Sequence, residues 1–282
     1  MKKENKIILI FGIVVVMIAI FLFYSRKNEN LLKVCFFDVG QGDSALIQTP
    51  FGQDILIDGG PDNTVLEKLG EHLGFFDSDI ELMILTHPHA DHVTGLIGVL
   101  KRYDVEKIIY TGIDYDSFVY KTFLDYAQKE GAQIIIANKK QKIILGDDLF
   151  LDILYPKENI AGTKMDNVNN SSVVARLSYG GNSFLFMGDA EREEELNILD
   201  GVDIKSDVLK LAHHGSKTND RDFVGMVSPK YTVISVGEKN KFGHPNKSVI
   251  NMLNDLGTVV FRTDRDGDIN FFSNSSELKL AY

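Results

Sequence analysis

The feature that most constrains the fold of this chain is a repeated arrangement, in which several strand patterns are followed by alternating strand and helix patterns, once in each half. In the first half, Leu32–Phe37, Ser44–Gln48 and Asp54–Ile57 are short apolar-rich segments bounded by turn residues, and alternating strand and helix patterns follow as far as Ala137. In the second half, two strand patterns joined by the hairpin signal Gly180-Gly181-Asn182 are again followed by strand–helix alternation. This order predicts an α/β (α+β) protein with two packed sheets and helices outside them, an αββα sandwich.

An uncharged apolar run, Ile7–Tyr24, precedes these segments. As a helix, its 18 residues would extend about 27 Å, close to the hydrocarbon thickness of a bilayer. The run is longer than the ~7–15 apolar residues of a cleaved signal, no small-residue cleavage site follows it, and it has no polar face for a core helix. We therefore predict one N-terminal transmembrane helix, with residues 1–30 as anchor and linker and residues 31–282 as one domain. The flanking positive charges slightly favour a single-pass topology with the domain outside the cytoplasm.

Composition narrows the classes of function. With 44% hydrophobic and 25% charged residues, the chain is globular rather than disordered or collagen-like. Its one cysteine, Cys35, excludes an internal disulfide and a thiolate zinc cluster. The net charge of −10 would repel polyanions overall, yet residues 205–247 hold eight Lys or Arg against four Asp or Glu. That segment leaves room for a local anion site.

Six of the seven histidines lie in three short segments, namely His87–His92, His213–His214 and a Gly-His-Pro turn at His244. The first of these follows an apolar strand pattern, Ile80–Thr86, and the carboxyl ends of strands are where open α/β sheets bind ligands. Three imidazoles and one carboxylate are ligands suited to zinc or manganese. Their spacing can aim His87 and His89 at one ion, with Asp91 and His92 facing a neighbouring ion.

The pattern His87-x-His89-x-Asp91-His92 resembles the metal signature of the metallo-β-lactamase superfamily. Similar segments follow the superfamily's order: Ile55–Gly60, which contains Asp58, Leu185–Asp189 and Leu209–Ser216. More narrowly, four segments resemble the extracytoplasmic hydrolase domain of ComEC-type DNA-uptake proteins: Phe36–Ser44, Asn169–Val174, His213–Ser216 and Gly243–Pro245. The resemblance extends from Leu31 to the C-terminus and implies the sandwich fold and metal-dependent hydrolysis.

The resemblance also implies two divalent metal ions, zinc in the first place and manganese as the alternative. The first ion would be held by His87, His89 and Asp189, and the second by Asp91, His92, His214 and the bridging Asp189. Asp58 would orient the histidine-rich segment. The chain departs from the superfamily in one respect, since no histidine lies between His92 and His213. Asn169–Ser172 occupies that place, so the first ion would lack a third imidazole.

Further residues are candidates for contact with the substrate. His213 would neighbour the ligand His214, and His244 would protonate a leaving group or hold a phosphate. Asp43 and Asn170 would lie in the cleft, and Lys210, Lys217 and Lys241 would attract an anion. Each of these residues also has a simpler interpretation as a turn, packing or surface residue.

Together, residues and resemblance predict a membrane-anchored binuclear hydrolase in which two ions acidify a shared water toward a pKa of about 7. Asp91 and His244 are the predicted catalytic residues. A phosphodiester in DNA or in a cell-wall polymer fits the cationic groups and the outward location. Two alternatives stay open: a tethered binding protein that keeps the fold without turnover, and a nuclease that acts in competence.

Overall fold

A computed structural model of the chain describes residues 10–17, 31–74, 77–138, 141–198 and 203–281. The strands are β1 (Leu32–Phe36), β2 (Ala45–Gln48), β3 (Asp54–Ile57), β4 (Asp79–Ile80), β5 (Leu82–Ile84), β6 (Asp104–Val105), β7 (Lys107–Tyr110), β8 (Gln133–Ile136), β9 (Lys142–Gly146), β10 (Leu149–Tyr155), β11 (Val174–Tyr179), β12 (Asn182–Phe186), β13 (Val208–Lys210), β14 (Tyr231–Ile234), β15 (Val259–Arg262), β16 (Ile269–Ser273) and β17 (Leu278–Ala281). The helices are α1 (residues 10–17), α2 (Thr64–His72), α3 (Ala90–Val99), α4 (Phe118–Glu130), α5 (Arg192–Ile198), α6 (Arg221–Val227), α7 (Lys247–Asp255) and α8 (Thr263–Asp266). Short 3₁₀ turns cover Val168–Ser171 and Ala212–Gly215.

Two large sheets form the frame of the domain. The first has the strand order β17-β16-β1-β2-β3-β5-β7-β8, and the second has the order β15-β14-β13-β12-β11-β10-β9. Strands β3, β5, β7 and β8 run parallel, as do β12 to β15. A small third sheet pairs β4 with β6. In both large sheets, therefore, several parallel strands end side by side and can deliver side chains to one place.

Three apolar clusters separate the layers. One lies between the sheets, where the rings of Phe36, Phe186 and Phe271 pack together. A second joins the outer face of the first sheet to α2, α3 and α4, and a third joins the second sheet to α5, α6 and α7. The order of layers is helix, sheet, sheet, helix, so the predicted αββα sandwich is confirmed.

The predicted membrane helix is described only in part. Residues 10–17 are helical and exposed, and the rest of the run Ile7–Tyr24 lies outside the described residues. Within the ranges that are described, no helix combines the length and the apolar character needed to cross a bilayer.

The predicted strands Leu32–Phe37, Ser44–Gln48 and Asp54–Ile57 are confirmed with small shifts of their ends. Helix α3 begins at Ala90, within the histidine motif, with His89 as its N-terminal cap residue. Asp91 lies in the first turn, where exposed backbone N–H groups and the helix dipole favour a carboxylate. Asp91 and His92 are therefore held by a helix and not by a loop. The β4–β6 pair, α8 and the turn Val168–Ser171 are too short to leave a periodic pattern, and they were not predicted.

Candidate metal centre

The candidate site lies at the edge where parallel strands of both sheets end. Asp58 follows β3 and His87 lies shortly after β5, whereas Asp189 follows β12 and His214 follows β13. Neighbouring parallel strands have their carboxyl ends at the same edge, as the register between β3 and β5 and between β12 and β13 shows. Residues far apart in the sequence therefore meet at this edge.

Four side chains form a tight group, Asp91, His92, Asp189 and His214, whose ligand atoms all lie within 4.8 Å of one another. His92 Nε2 is 3.4 Å from Asp189 Oδ1. His214 Nε2 is 3.4 Å from Asp91 Oδ2 and 3.6 Å from Asp189 Oδ2. Asp91 forms the mouth of the group, since its side chain is 31% exposed while the other three are buried. The structure thus brings together the four residues that the resemblance assigned to the second ion.

The inner atoms of this four-residue group fit a divalent cation. His92 Nε2, His214 Nε2 and Asp189 Oδ1 are buried and have no hydrogen-bond partner among the described residues. Buried polar atoms are normally hydrogen-bonded, so three that converge without partners indicate that they serve a ligand. Imidazole nitrogen and carboxylate oxygen are the donors that zinc and similar divalent ions prefer.

Each histidine of the group is oriented through its other ring nitrogen. His92 Nδ1 lies 2.8 Å from Asp58 Oδ2, and Asp58 also accepts hydrogen bonds from the backbone N–H and the hydroxyl of Thr86. His214 Nδ1 lies 2.9 Å from the carbonyl oxygen of Ser235. Carboxylate and carbonyl oxygens only accept, so both Nδ1 atoms carry the proton. Each Nε2 faces the group and would bind a divalent ion through its lone pair once the ion displaces the Nε2 proton.

His87 and His89 lie beside the four-residue group but are arranged more loosely. His87 Nε2 is 3.1 Å from His89 Nδ1 and 3.8 Å from Asp189 Oδ2. Within the described residues, these two histidines and Asp189 do not form a set whose ligand atoms all lie within 4.8 Å. The ligand set predicted for the second ion is therefore closely assembled, and the set predicted for the first ion is more open.

The prediction that Lys210 attracts an anionic substrate is wrong. Lys210 is 4% exposed, and its Nζ lies 2.6 Å from Asp43 Oδ2. Asp43 Oδ1 in turn lies 3.2 Å from His214 Nδ1. The strand explains this placement, because Lys210 shares a face of β13 with Val208, which packs between the sheets. Asp43 is accordingly a buried partner of Lys210 and His214, below the cleft surface.

The carboxylates of the site determine its charge. Burial alone would lower the pKa of His92, but Asp189 and Asp58 raise it well above the usual value. Burial opposes protonation of His214 too, yet Asp189 and Asp43 raise its pKa to about 10. Burial would raise the pKa of Asp189, but the charges of His214 and His92 hold it well below its ordinary range. The centre therefore favours positive charge, as a divalent cation requires.

A cleft with a volume of about 200 Å³ opens over the group. Its lining combines Asp91, Asp189 and His214 with Gln41, His89, Asn169, His213, Phe242 and His244. His213 lies outside the four-residue group, with its Nδ1 3.3 Å from Glu191 Oε1 and its Nε2 3.9 Å from Asp189 Oδ2. His244 faces the ring of His213 at 5.5 Å between centroids. Burial, and then the charge of His213, lower the pKa of His244.

Asn170 and Lys217, which were also predicted to contact the substrate, do not line the cleft. Asn169 lines the cleft, whereas its neighbour Asn170 does not and accepts a hydrogen bond from the Tyr155 hydroxyl through its backbone carbonyl. The prediction of Asn170 as a cleft residue is therefore corrected to Asn169, because the 3₁₀ turn places the two side chains differently. Lys217 is exposed and is not among the described residues that line the cleft.

The backbone of the turn Ala212–Gly215 separates the two adjacent histidines. His213 and His214 have φ values of 49° and 53°, in the left-handed region that non-glycine residues rarely adopt. Gly215 continues the turn at a φ of 76°, and a Cβ there would lie 2.7 Å from Pro245 Cβ. This turn buries the side chain of His214 at 2% exposure and leaves that of His213 at 22%.

Sequence reasoning missed several residues that shape the site, namely Thr86, Asn169, Ser235 and Phe242. Thr86 could have been identified from the sequence, because it is a hydroxyl residue between an apolar strand and the histidine motif. Phe242 could also have been identified, because it is a single aromatic residue in a polar loop flanked by glycines. Ser235 left none, because its contribution is a backbone carbonyl.

The sequence profile of the metallo-β-lactamase superfamily matches residues 37–238. With this match, the fold and the ligand group described above, the chain belongs to that superfamily, whose members are generally metal-dependent hydrolases. Its relatives include competence proteins. The chain is 30% identical over 275 residues to ComE operon protein 3 of Bacillus subtilis (strain 168), and 31% identical over 280 residues to Recombination protein 2 of Haemophilus influenzae.

These alignments cover 91% and 96% of the chain but 34% and 33% of the two relatives. The chain therefore spans about a third of the length of the curated relatives it matches. Among solved structures, a variant of the CmlA β-hydroxylase superposes with a TM-score of 0.51 at 11% identity, covering 85% of this chain and 53% of that one. At this identity the likeness shows the fold alone.

Proposed function

We propose that the chain is a membrane-anchored, metal-dependent phosphodiesterase. The observation that carries the proposal is the group Asp91, His92, Asp189 and His214, whose ligand atoms lie within 4.8 Å of one another. Its inner atoms have no hydrogen-bond partner in the described part of the chain. This group would hold one divalent ion, and His87, His89 and Asp189 would hold another, with zinc or else manganese in both. When bound, such ions acidify water and neutralise negative charge on a phosphoryl group.

The side chains around the centre orient these groups and the substrate. Asp58 and the Ser235 carbonyl fix the rings of His92 and His214, so no rearrangement is needed when a ligand arrives. Asp91, at the mouth, orients the water that attacks phosphorus. Across the cleft, His244 contacts the leaving oxygen and gives it a proton as the phosphorus–oxygen bond breaks.

Nucleic acid is the favoured source of the phosphodiester. The relatives carry names that refer to competence and recombination, processes that act on DNA. In the chain itself, Lys239 and Lys241 are exposed on the loop that also carries the cleft residues Phe242 and His244. These lysines favour an anionic strand near the cleft despite the overall charge of −10. A cell-wall phosphodiester polymer is the competing substrate.

The membrane part of the proposal rests on the N-terminal segment. Ile10, Phe11 and Met17 are 60%, 70% and 65% exposed, so this helical segment does not pack its apolar side chains into the core. Exposed apolar side chains within an uncharged run are expected when lipid covers them. The full chain should co-float with liposomes and resist alkaline carbonate extraction. Recovery in the soluble fraction would contradict the anchor.

The enzymatic part is tested with the full chain in detergent micelles. We expect two bound divalent ions per chain, hydrolysis of bis(p-nitrophenyl) phosphate and of single-stranded DNA, and loss of both activities after chelation. Asp189→Asn and His89→Ala should lose turnover, while His72→Ala, at a histidine beside Cys35 that does not line the cleft, should keep it. Hydrolysis that survives chelation would contradict the proposal. Fewer than two ions with no turnover would favour the tethered binding protein.

A further inference from the structure

Phe242 is an exposed aromatic side chain at the mouth of the metal cleft. It is 69% exposed, and it lines the same cleft as Asp91, Asp189 and His214. Isolated exposed apolar side chains are ordinary on protein surfaces. Other large exposed apolar side chains among the described residues, such as those of Phe118 and Ile144, do not line this cleft. The position of Phe242, rather than its exposure alone, calls for an explanation.

The loop that carries Phe242 is fixed by one side chain, that of Asn240. Asn240 Oδ1 accepts hydrogen bonds from the backbone N–H groups of Phe242 and His244, at 3.2 and 3.1 Å. Asn240 Nδ2 donates to the carbonyl oxygens of Gly237 and His244, at 2.9 and 2.8 Å. Since the loop backbone is held at four points, the aromatic ring is presented to solvent in a prepared position.

One face of the Phe242 ring is covered by His244. The two ring centroids are 5.9 Å apart and their planes make an angle of 28°, which is a stacked arrangement. The His244 ring lies in turn 6.4 Å from the ring of His214, one of the four grouped ligands. Two ring contacts thus connect the metal group to Phe242. The remaining surface of the Phe242 ring is free for another flat group.

We propose that Phe242, backed by His244, is a stacking platform for the base next to the phosphodiester that is cleaved. This inference rests on the proposed phosphodiesterase function and concerns which phosphodiesters the site selects. Stacking on an aromatic side chain tolerates any base, because every base has a π-face. Single strands leave their base faces accessible, whereas a base-free polymer offers nothing flat to stack. Phe242 therefore makes the site selective for single-stranded nucleic acid.

The test uses two single-stranded oligomers of equal length and charge, one with bases and one built from abasic deoxyribose-phosphate units. Wild-type full chain should cleave the base-bearing strand with a kcat/KM about 5- to 150-fold higher, the size of one stacking contact. Phe242→Ala should lose this preference and cleave both strands at the abasic rate. Phe242→Trp should retain the preference. Phe51→Ala, which removes a half-exposed phenylalanine from the β2–β3 turn, is the matched control and should behave as wild type.

The possible failures are distinguishable. If the wild-type protein cleaves both strands equally, or if Phe242→Ala slows both by the same factor, Phe242 is no platform and only this inference is overturned. If the wild-type protein cleaves neither strand, the proposed function itself is wrong, and the inference falls with it. If Phe242→Ala changes liposome binding but leaves both kcat/KM values unchanged, the ring contacts lipid and the inference is likewise overturned.

Discussion

Lys210 Nζ lies 2.6 Å from Asp43 Oδ2, and both side chains are withdrawn from solvent at 4% and 8% exposure. The other oxygen of Asp43 lies 3.2 Å from Nδ1 of the grouped ligand His214. Burial alone would raise the pKa of Asp43, but the charges of Lys210 and His214 lower it, so the carboxylate stays ionised. The buried positive charge of Lys210 thus stabilises the ionised Asp43 carboxylate next to the predicted metal ligand His214.

Replacing Lys210 by methionine should destabilise the metal-free protein by about 3–5 kcal/mol, because the buried Asp43 carboxylate loses the full charge of Lys210 and keeps only its contact with His214. Urea unfolding after chelation measures this loss. Adding Asp43→Asn should restore part of the stability, since the buried charge is then removed. Lys217→Met, at an exposed position, should change stability by less than about 0.5 kcal/mol. A double variant no more stable than Lys210→Met would show that the two residues do not act as a pair.

Asp58 should control metal affinity without being a ligand. It fixes the ring of His92 through a 2.8 Å contact and is itself held by Thr86. Asp58→Ala should weaken binding of the divalent ion about 10- to 100-fold, because His92 is then free to rotate. Competition with a chromophoric chelator measures the affinity. Asp62→Ala, four residues along in a more exposed turn, is the control, and equal losses in both variants would argue against an orienting role.

The layers of the fold could be predicted from the sequence because their signals are local. The apolar segment Asp54–Ile57, for example, has the length and the bounding turns of a strand, and it is a strand with the same ends in the structure. The helix Lys247–Asp255 has a local signal of the same kind, because the side chain of Asn246 caps its N-terminus. The β4–β6 pair, the short helix α8 and the 3₁₀ turn Val168–Ser171 leave no such local signal and were missed.

The site could be predicted in its ligand types but not in its supporting contacts. The histidine motif and Asp189 are recognisable along the chain, and His214 is the buried member of its pair. The Lys210–Asp43 pair depends on which face of β13 turns inward and on the packing of two sheets. Such long-range pairing leaves no trace in either local segment. The choice between Asn169 and Asn170 depended likewise on a single 3₁₀ turn.

The adjacent histidines His213 and His214 should have separable roles. His214→Ala should lose the ion of the four-residue group, because its buried Nε2 lies within 3.6 Å of Asp189 Oδ2. His213→Ala should retain both ions and lose activity only, since His213 lines the cleft outside that group. Metal content and the absorption spectrum of the cobalt-substituted protein distinguish the two. Loss of an ion from His213→Ala with full occupancy in His214→Ala would reverse the assignment.

Glu195 is a buried carboxyl group away from the metal centre. It is 1% exposed on α5, and one of its oxygens accepts the backbone N–H of Asp220 at 2.6 Å. Burial raises its pKa from 4.5 to about 8, with the backbone bond and Arg192 acting to lower it and Asp220 and Glu194 acting to raise it. Glu195 is therefore protonated in the folded protein at neutral pH.

Glu195 should make folding stability depend on pH in an unusual direction for a carboxyl group. Between pH 4.5 and about 8, the folded state holds a proton on Glu195 that the unfolded state has already released. The stability that Glu195 contributes is therefore complete below pH 4.5 and is lost as pH rises through about 8. Glu195→Gln should remove this decline, which is on the order of a few kcal/mol. Chemical unfolding of the metal-free protein at several pH values gives the free energy of unfolding of the variant and of the wild type. The contributions of the other titrating groups cancel in the difference between the two. Glu193→Gln, at an exposed position of the same helix, serves as the control. A difference that stays flat across this range would mean that Glu195 is ionised in the folded protein.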